Sequence, residues 1–140
     1  MNPLAGVWRL VRYYTRYDDG ETIYPLGEDA VGYITYTPDG FMSGSMMRAN
    51  RRPFAVADRL RATPDEKARA FDDYVTYCGR YRVEGDTAYH CIEVSLLPNW
   101  IGEQQARRIE PRDNGRIALV GEWIVNGKKR IAVVEWERAG

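Results

Sequence analysis

The chain has 140 residues, 44% of them hydrophobic and 29% charged, with equal numbers of basic and acidic side chains and zero formal net charge. That length suits one domain, residues 1–140, built on one sizeable core, and the composition excludes a disordered chain. The absence of a basic excess argues against a general nucleic-acid binder.

No apolar run approaches the length that spans a bilayer, and MNPLAGVWRLV lacks the basic head and apolar stretch of a signal peptide. The expectation is therefore a cytoplasmic protein without a membrane partner. Cys78 and Cys91 fall offset on neighbouring strands and read as reduced thiols. With His90, the single histidine, they make a poor zinc set, so no metal and no cofactor are expected.

In chain order, Gly6 to Tyr17 is rich in β-branched and aromatic residues and predicts a first strand. Strict alternation places Trp8, Leu10, Arg12 and Tyr14 on one face. Asp18-Asp19-Gly20 signals a turn. Val31 to Thr37 predicts a second strand, and Thr37-Pro38-Asp39-Gly40 a tight turn into a third, Phe41 to Arg48. Tyr36 opposite Met42 groups Gly32, Ile34, Tyr36, Met42, Gly44 and Met46 on one side.

The pattern then changes. Thr63-Pro64-Asp65-Glu66 combines an N-cap, a proline at the first helical position and a capping-box glutamate. A helix should run to about Asp73, with Ala68 and Phe71 facing inward, and a shorter helical turn is expected within Ala55 to Arg61. Strands four and five form a hairpin around Gly85-Asp86. Its register sets Glu84 against Thr87, Tyr81 against His90, Gly79 against Ile92 and Tyr77 against Val94. One face of the hairpin is then apolar with an enclosed His90, and the other holds Arg80, Arg82, Glu93 and Ser95.

Glu103 to Glu110 predicts a sixth strand and Arg116 to Val125 a seventh. Asn126-Gly127 is a strong hairpin signal into an eighth, Lys129 to Arg138. Trp123 should then face Arg130, and Ile117 should face Trp136. Eight strands joined by short or moderate loops, with one helical excursion, predict an all-β fold. The expected form is an eight-stranded antiparallel up-and-down barrel with a short helical lid between strands 3 and 4. Trp8 and Trp136 should plug the lower end, and the helix should lie across the upper mouth.

Four stretches carry a resemblance to a known family: GVWRLV, VGYITYTPDGFMSGSMMR, TPDEKARAFDDYVTYCGRYRV and HCIEVSLLPNWIGEQQARR. Gly6-Val7-Trp8 looks like the Gly-x-Trp signature of the lipocalins, and the chain as a whole resembles the bacterial lipocalin-like domain proteins. The resemblance implies a calyx with an internal pocket for a small, largely apolar molecule. It also implies a second role, since some lipocalin-like proteins act as cyclases or isomerases in natural-product pathways.

The residues themselves nominate a site. His90, inward at mid-depth, is either a general base or ligand donor, or a core histidine bonded to a neighbour such as Tyr81. Arg12 and Arg107 are candidate partners for a ligand carboxylate, enolate or 1,3-dicarbonyl. Alternation on strand six leaves open whether Arg107 or Arg108 is the inward one. Tyr14, Tyr36 and Tyr77 offer hydroxyls within an apolar wall. Met46 is a flexible filler, Trp100 could fold over a guest, and Trp123 stands near the mouth.

Two principal readings follow. The first is a barrel that binds a small, apolar, oxygenated metabolite through Arg12, Tyr14, Ile34, Tyr36, Met46, Phe71, Val94, Trp100, Gln105 and Trp123. The second is a cofactor-independent cyclase or isomerase using His90, Arg107 and Tyr77. A structural barrel with a filled core is a third. The expected partner is a small molecule, with the chain a monomer or homodimer.

Overall fold

The structure, a computed structural model, describes residues 2–140. Its elements are β1 (Gly6–Tyr17), β2 (Thr22–Ile23), β3 (Val31–Tyr36), β4 (Phe41–Met47), α1 (Pro64–Asp72), β5 (Tyr74–Glu84), β6 (Thr87–Ser95), β7 (Gln104–Pro111), β8 (Ile117–Val125) and β9 (Lys128–Arg138). The strands form one antiparallel sheet in chain order, and β1 pairs with β9 to close it. The two-residue β2 only extends the edge of β1. Eight staves therefore make a closed barrel, with no long free edge to pair with another chain.

Turn chemistry fixes the registers. Asn126 and Gly127 both take positive φ, 51° and 77°, as a two-residue hairpin loop of the twist-matched kind requires. They set Trp123 against Arg130 and Ile117 against Trp136. At the other hairpin, Tyr81 pairs with His90 and Gly79 with Ile92.

Two bulges break the expected alternation. On β1 the register shifts between Leu10 and Arg12, which pair with Trp136 and Glu135. Val11 is the extra residue, and from there every side chain changes face. Trp8 and Leu10 point inward as expected, but Arg12 and Tyr14 turn outward, and Tyr13 and Thr15 take the inner positions. Arg12 meets Glu135 at 3.1 Å on the barrel's outer surface. Tyr14 packs outside on Ala118, Val120 and Val133.

The second bulge lies on β6, where Cys78 pairs with Val94 and Gly79 with Ile92, leaving Glu93 as the extra residue. Val94 therefore faces outward and is 64% exposed, and Tyr77 stands opposite Ser95 rather than Val94. Gly79 permits this geometry. A Cβ there would collide with the Cys91 carbonyl oxygen and stand 3.0 Å from the Glu93 nitrogen.

The lower end is sealed. Leu4, Trp8, Tyr36, Tyr81 and Trp136 are all buried in the main core. The Trp8 indole donates to the Leu4 carbonyl at 2.9 Å, and the Tyr81 hydroxyl donates to the Thr37 carbonyl at 2.6 Å. Outside, the Arg138 guanidinium lies 4.0 Å over the Trp8 ring and donates to the carbonyls of Pro3 and Ala5. Each large apolar side chain buried here contributes roughly 1.5–3 kcal/mol relative to exposure.

The helix begins at the expected capping box, with the Thr63 hydroxyl accepting from the Glu66 amide and the Glu66 carboxylate accepting from the Thr63 amide. It follows the fourth strand because β2 is counted. None of its residues is buried. It flanks the mouth beside β5, and Arg48 ties its C-terminal end to β4 through Asp73 at 3.1 Å.

Candidate functional site

Above the seal the barrel encloses a hollow of about 490 Å³. Its walls come from Tyr13 on β1, Met46 on β4, and Val75 and Tyr77 on β5. Gln105 and Arg107 on β7, Trp123 on β8, and Arg130, Ala132 and Val134 on β9 complete them. Trp100 and Glu103, from the loop between β6 and β7, stand at the rim. A smaller chamber of about 50 Å³ lies deeper, lined by Ile34, Gly44, His90, Leu119 and Trp136 and sharing Met46, Tyr77 and Arg107 with the first. Such a cavity, apolar with a few polar groups aimed inward, is the usual form of a small-molecule site.

His90 is the buried hinge of the polar part, at 1% exposure. The Tyr36 hydroxyl lies 2.7 Å from its Nε2 and the Tyr77 hydroxyl 2.8 Å from its Nδ1. Tyr36 is itself fully buried, and its hydroxyl has no other hydrogen-bond partner among the described residues. Its proton must therefore go to Nε2, since an unpaired buried O–H is costly. The imidazole proton then sits on Nδ1 and is donated to the Tyr77 oxygen. Tyr77 is left with its own proton free to donate into the hollow.

Protonation supports this direction. Burial, reinforced by the positive charge of Arg107, pushes the His90 pKa down to about 3, so the ring is neutral at pH 7. Burial raises Tyr36 well above its ordinary value and raises Tyr77 as well, so both remain hydroxyl donors. Both imidazole nitrogens are engaged. His90 therefore presents no free nitrogen to the hollow, and so low a pKa makes it a poor base near neutrality.

Arg107 is the inward arginine of its pair. Its guanidinium donates to Gln105 Oε1 at 2.7 Å and to the Ala106 carbonyl at 3.0 Å, and lies 5.7 Å from the Trp123 ring. Arg108 faces outward and pairs with Glu110 at 2.7 Å. Gly121, opposite Ala132, gives Arg107 its room, since a Cβ at Gly121 would stand 2.8 Å from the guanidinium. Trp100 meets Tyr77 edge-on with ring centres 5.8 Å apart, so the rim loop rests on the donor tyrosine.

Of the residues nominated by the sequence, His90, Arg107, Tyr77, Ile34, Met46, Trp100, Gln105 and Trp123 come together on these walls. Tyr36 lies behind them, against His90. Arg12, Tyr14 and Val94 face the outside because of the two bulges. Phe71 lies on a separate outer groove with Tyr74, Leu96, Leu97 and Trp100. Tyr13 is reached only by knowing the bulge at Val11. Arg130, Ala132 and Val134 alternate on β9, and the Asn126-Gly127 register already places Arg130 beside Trp123.

A family model described as a lipocalin-like domain matches residues 5–139. The 4'-hydroxy-3'-methoxypropiophenone carrier protein ppsC of Aspergillus oryzae is 28% identical over 106 residues, covering 69% of this chain and 96% of that protein. A crystal structure of an uncharacterized protein from Bacteroides eggerthii aligns over 93% of this chain and 98% of that one, at 12% identity and a TM-score of 0.44.

Proposed function

The chain belongs to the lipocalin-like domain family, and from that premise we propose that it binds a small, largely apolar, oxygenated metabolite inside its barrel. The observation that carries this reading is the hollow of about 490 Å³ whose aromatic and aliphatic walls are interrupted by a few donors, chiefly Tyr77 and Arg107. The relative named as a carrier of an aryl ketone agrees in kind, because such a molecule pairs a flat apolar body with oxygen acceptors. Tyr77 and Arg107 supply donors and Trp100, Trp123 and Tyr13 supply ring surface.

Native mass spectrometry of the purified protein, followed by titration with 4'-hydroxy-3'-methoxypropiophenone and related aryl ketones, tests the reading. Saturable one-to-one binding that changes the fluorescence of Trp100 and Trp123 is the expected result. No copurifying molecule and no saturable binding across the series would overturn it.

A second reading, a cofactor-free cyclase or isomerase, is favoured by one feature. Tyr77 on β5 and Arg107 on β7 both line the hollow, where both can polarise one carbonyl oxygen and stabilise an enolate. His90 would then position Tyr77 and would not remove a proton itself. Product formation from a bound enolisable ketone, lost in Tyr77→Phe while binding persists, would separate turnover from carriage.

A further inference from the structure

Resting on the binding reading, we propose that the guest is an anion: a flat apolar molecule with an ionised oxygen, seated between Arg107 and Arg130 against Trp123.

The argument begins with charge. Arg107 and Arg130 both line the hollow, and neither pairs with a carboxylate among the described residues. The other inward titratable groups are Tyr13, Tyr77 and His90, all uncharged at pH 7, and Glu103 at the rim. The hollow thus holds two cations against a single acid at its edge. On the outer face several arginines are matched, Arg12 with Glu135, Arg108 with Glu110 and Arg116 with Glu137, while exposed Arg16 stacks only on Tyr14. Leaving two half-buried guanidinium groups without a counter-charge is unfavourable, and a bound anion relieves that cost.

Geometry adds a second line. The two guanidinium groups share one aromatic ring, Arg107 at 5.7 Å and Arg130 at 5.5 Å from the Trp123 centre. The ring's electron-rich faces moderate the repulsion without cancelling it. Arg130 Nε is buried and has no acceptor in the protein. Arg107 is already steered by Gln105, which fixes the plane of its fork. Planar forks of this kind match carboxylate, enolate or phenolate oxygens. The Tyr77 hydroxyl, a donor by the hydrogen-bond order established above, meets a second oxygen deeper in the cavity.

Calorimetric titration with a matched probe set tests this: 2-naphthoate, 2-naphthamide, and 2-naphthol on either side of its own ionisation. Naphthoate should bind at least about tenfold more tightly than naphthamide, the scale of a charge-assisted hydrogen-bond pair. Naphthol should gain affinity only once ionised if the site accepts phenolates. Arg107→Gln and Arg130→Gln should each shrink the naphthoate preference several-fold, and Arg108→Gln, on the outer face, should keep it. Circular dichroism of each variant checks that it folds. Equal binding of naphthoate and naphthamide to the wild type overturns the anion proposal and leaves the binding hollow intact. Failure of every probe and of the aryl ketones to bind overturns both.

Discussion

His90 shows how much one buried ring can organise. It holds the Tyr36 proton on one side and directs the Tyr77 proton on the other, which requires that it stay neutral. Its folded pKa of about 3 lies below the 6.5 of an unperturbed histidine. The unfolded chain therefore takes up a proton that the folded chain refuses. This contribution to stability is fully present above pH 6.5 and is lost progressively as the pH falls from 6.5 towards 3. Over that window it amounts to roughly 4–5 kcal/mol. Urea unfolding at a series of pH values should show the loss, and His90→Gln should remove that component from the pH curve while lowering stability at pH 7. Gly121 gives a second outcome at this scale. Gly121→Ala places a methyl group 2.8–3.2 Å from the Arg107 guanidinium, whose flexible end can move aside. Thermal unfolding should change little, and naphthoate affinity should drop several-fold.

At the scale of the element, the bulges decide which residues see the cavity. Gly79→Ala forces a Cβ onto the Cys91 carbonyl, so the β6 bulge must open or the strand must shift. A destabilisation of about 2 kcal/mol or more is expected, with a changed Trp100 emission as the rim loop moves; unfolding and fluorescence measure both. The same bulges mark where the sequence stops being legible. Turn chemistry at Gly85-Asp86 and Asn126-Gly127 and the capping box at Thr63 are local, so the strands, helix and registers near them can be read from residue types. A bulge depends on how one strand meets its partner. Around Val11 every neighbour is equally suited to a strand, and nothing local marks the extra residue. That is why Arg12 and Tyr14 read as inward and Tyr13 does not. Gly79 is the one written clue to the bulge at Glu93, and it sits on the opposite strand. Arg107 was ambiguous with Arg108 until the pairing of His90 with Gln105 fixed the parity of β7.

For the whole molecule, the packed core and the hollow occupy different ends. The lower end carries the large buried side chains, with Leu4 completely enclosed beneath Trp8. Leu4→Ala should cost about 2–5 kcal/mol in unfolding free energy. Its effect on ligand affinity should be slight, because the hollow lies at the other end; parallel unfolding and titration experiments check the separation. The outer face of β7, β8, β9 and β1 is laced with Arg–Glu pairs, including Arg112 with Glu110 and Arg116 with Glu137 at 3.1 Å each. Exposed pairs of this kind add little stability individually. They leave most of the outward arginines on the strands with carboxylate partners, whereas the two inside the barrel have none among the described residues.

The sealed lower end also has a kinetic meaning. A vessel with a single doorway allows no through-traffic, so the proposed guest would arrive and leave across the same threshold past the Pro98–Trp100 turn. Stiffening or loosening that doorway at residues that do not touch the guest, such as Ile101, should speed or slow both directions by one common factor. Stopped-flow association and displacement on an Ile101→Gly variant should then give shifted rate constants whose ratio is unchanged.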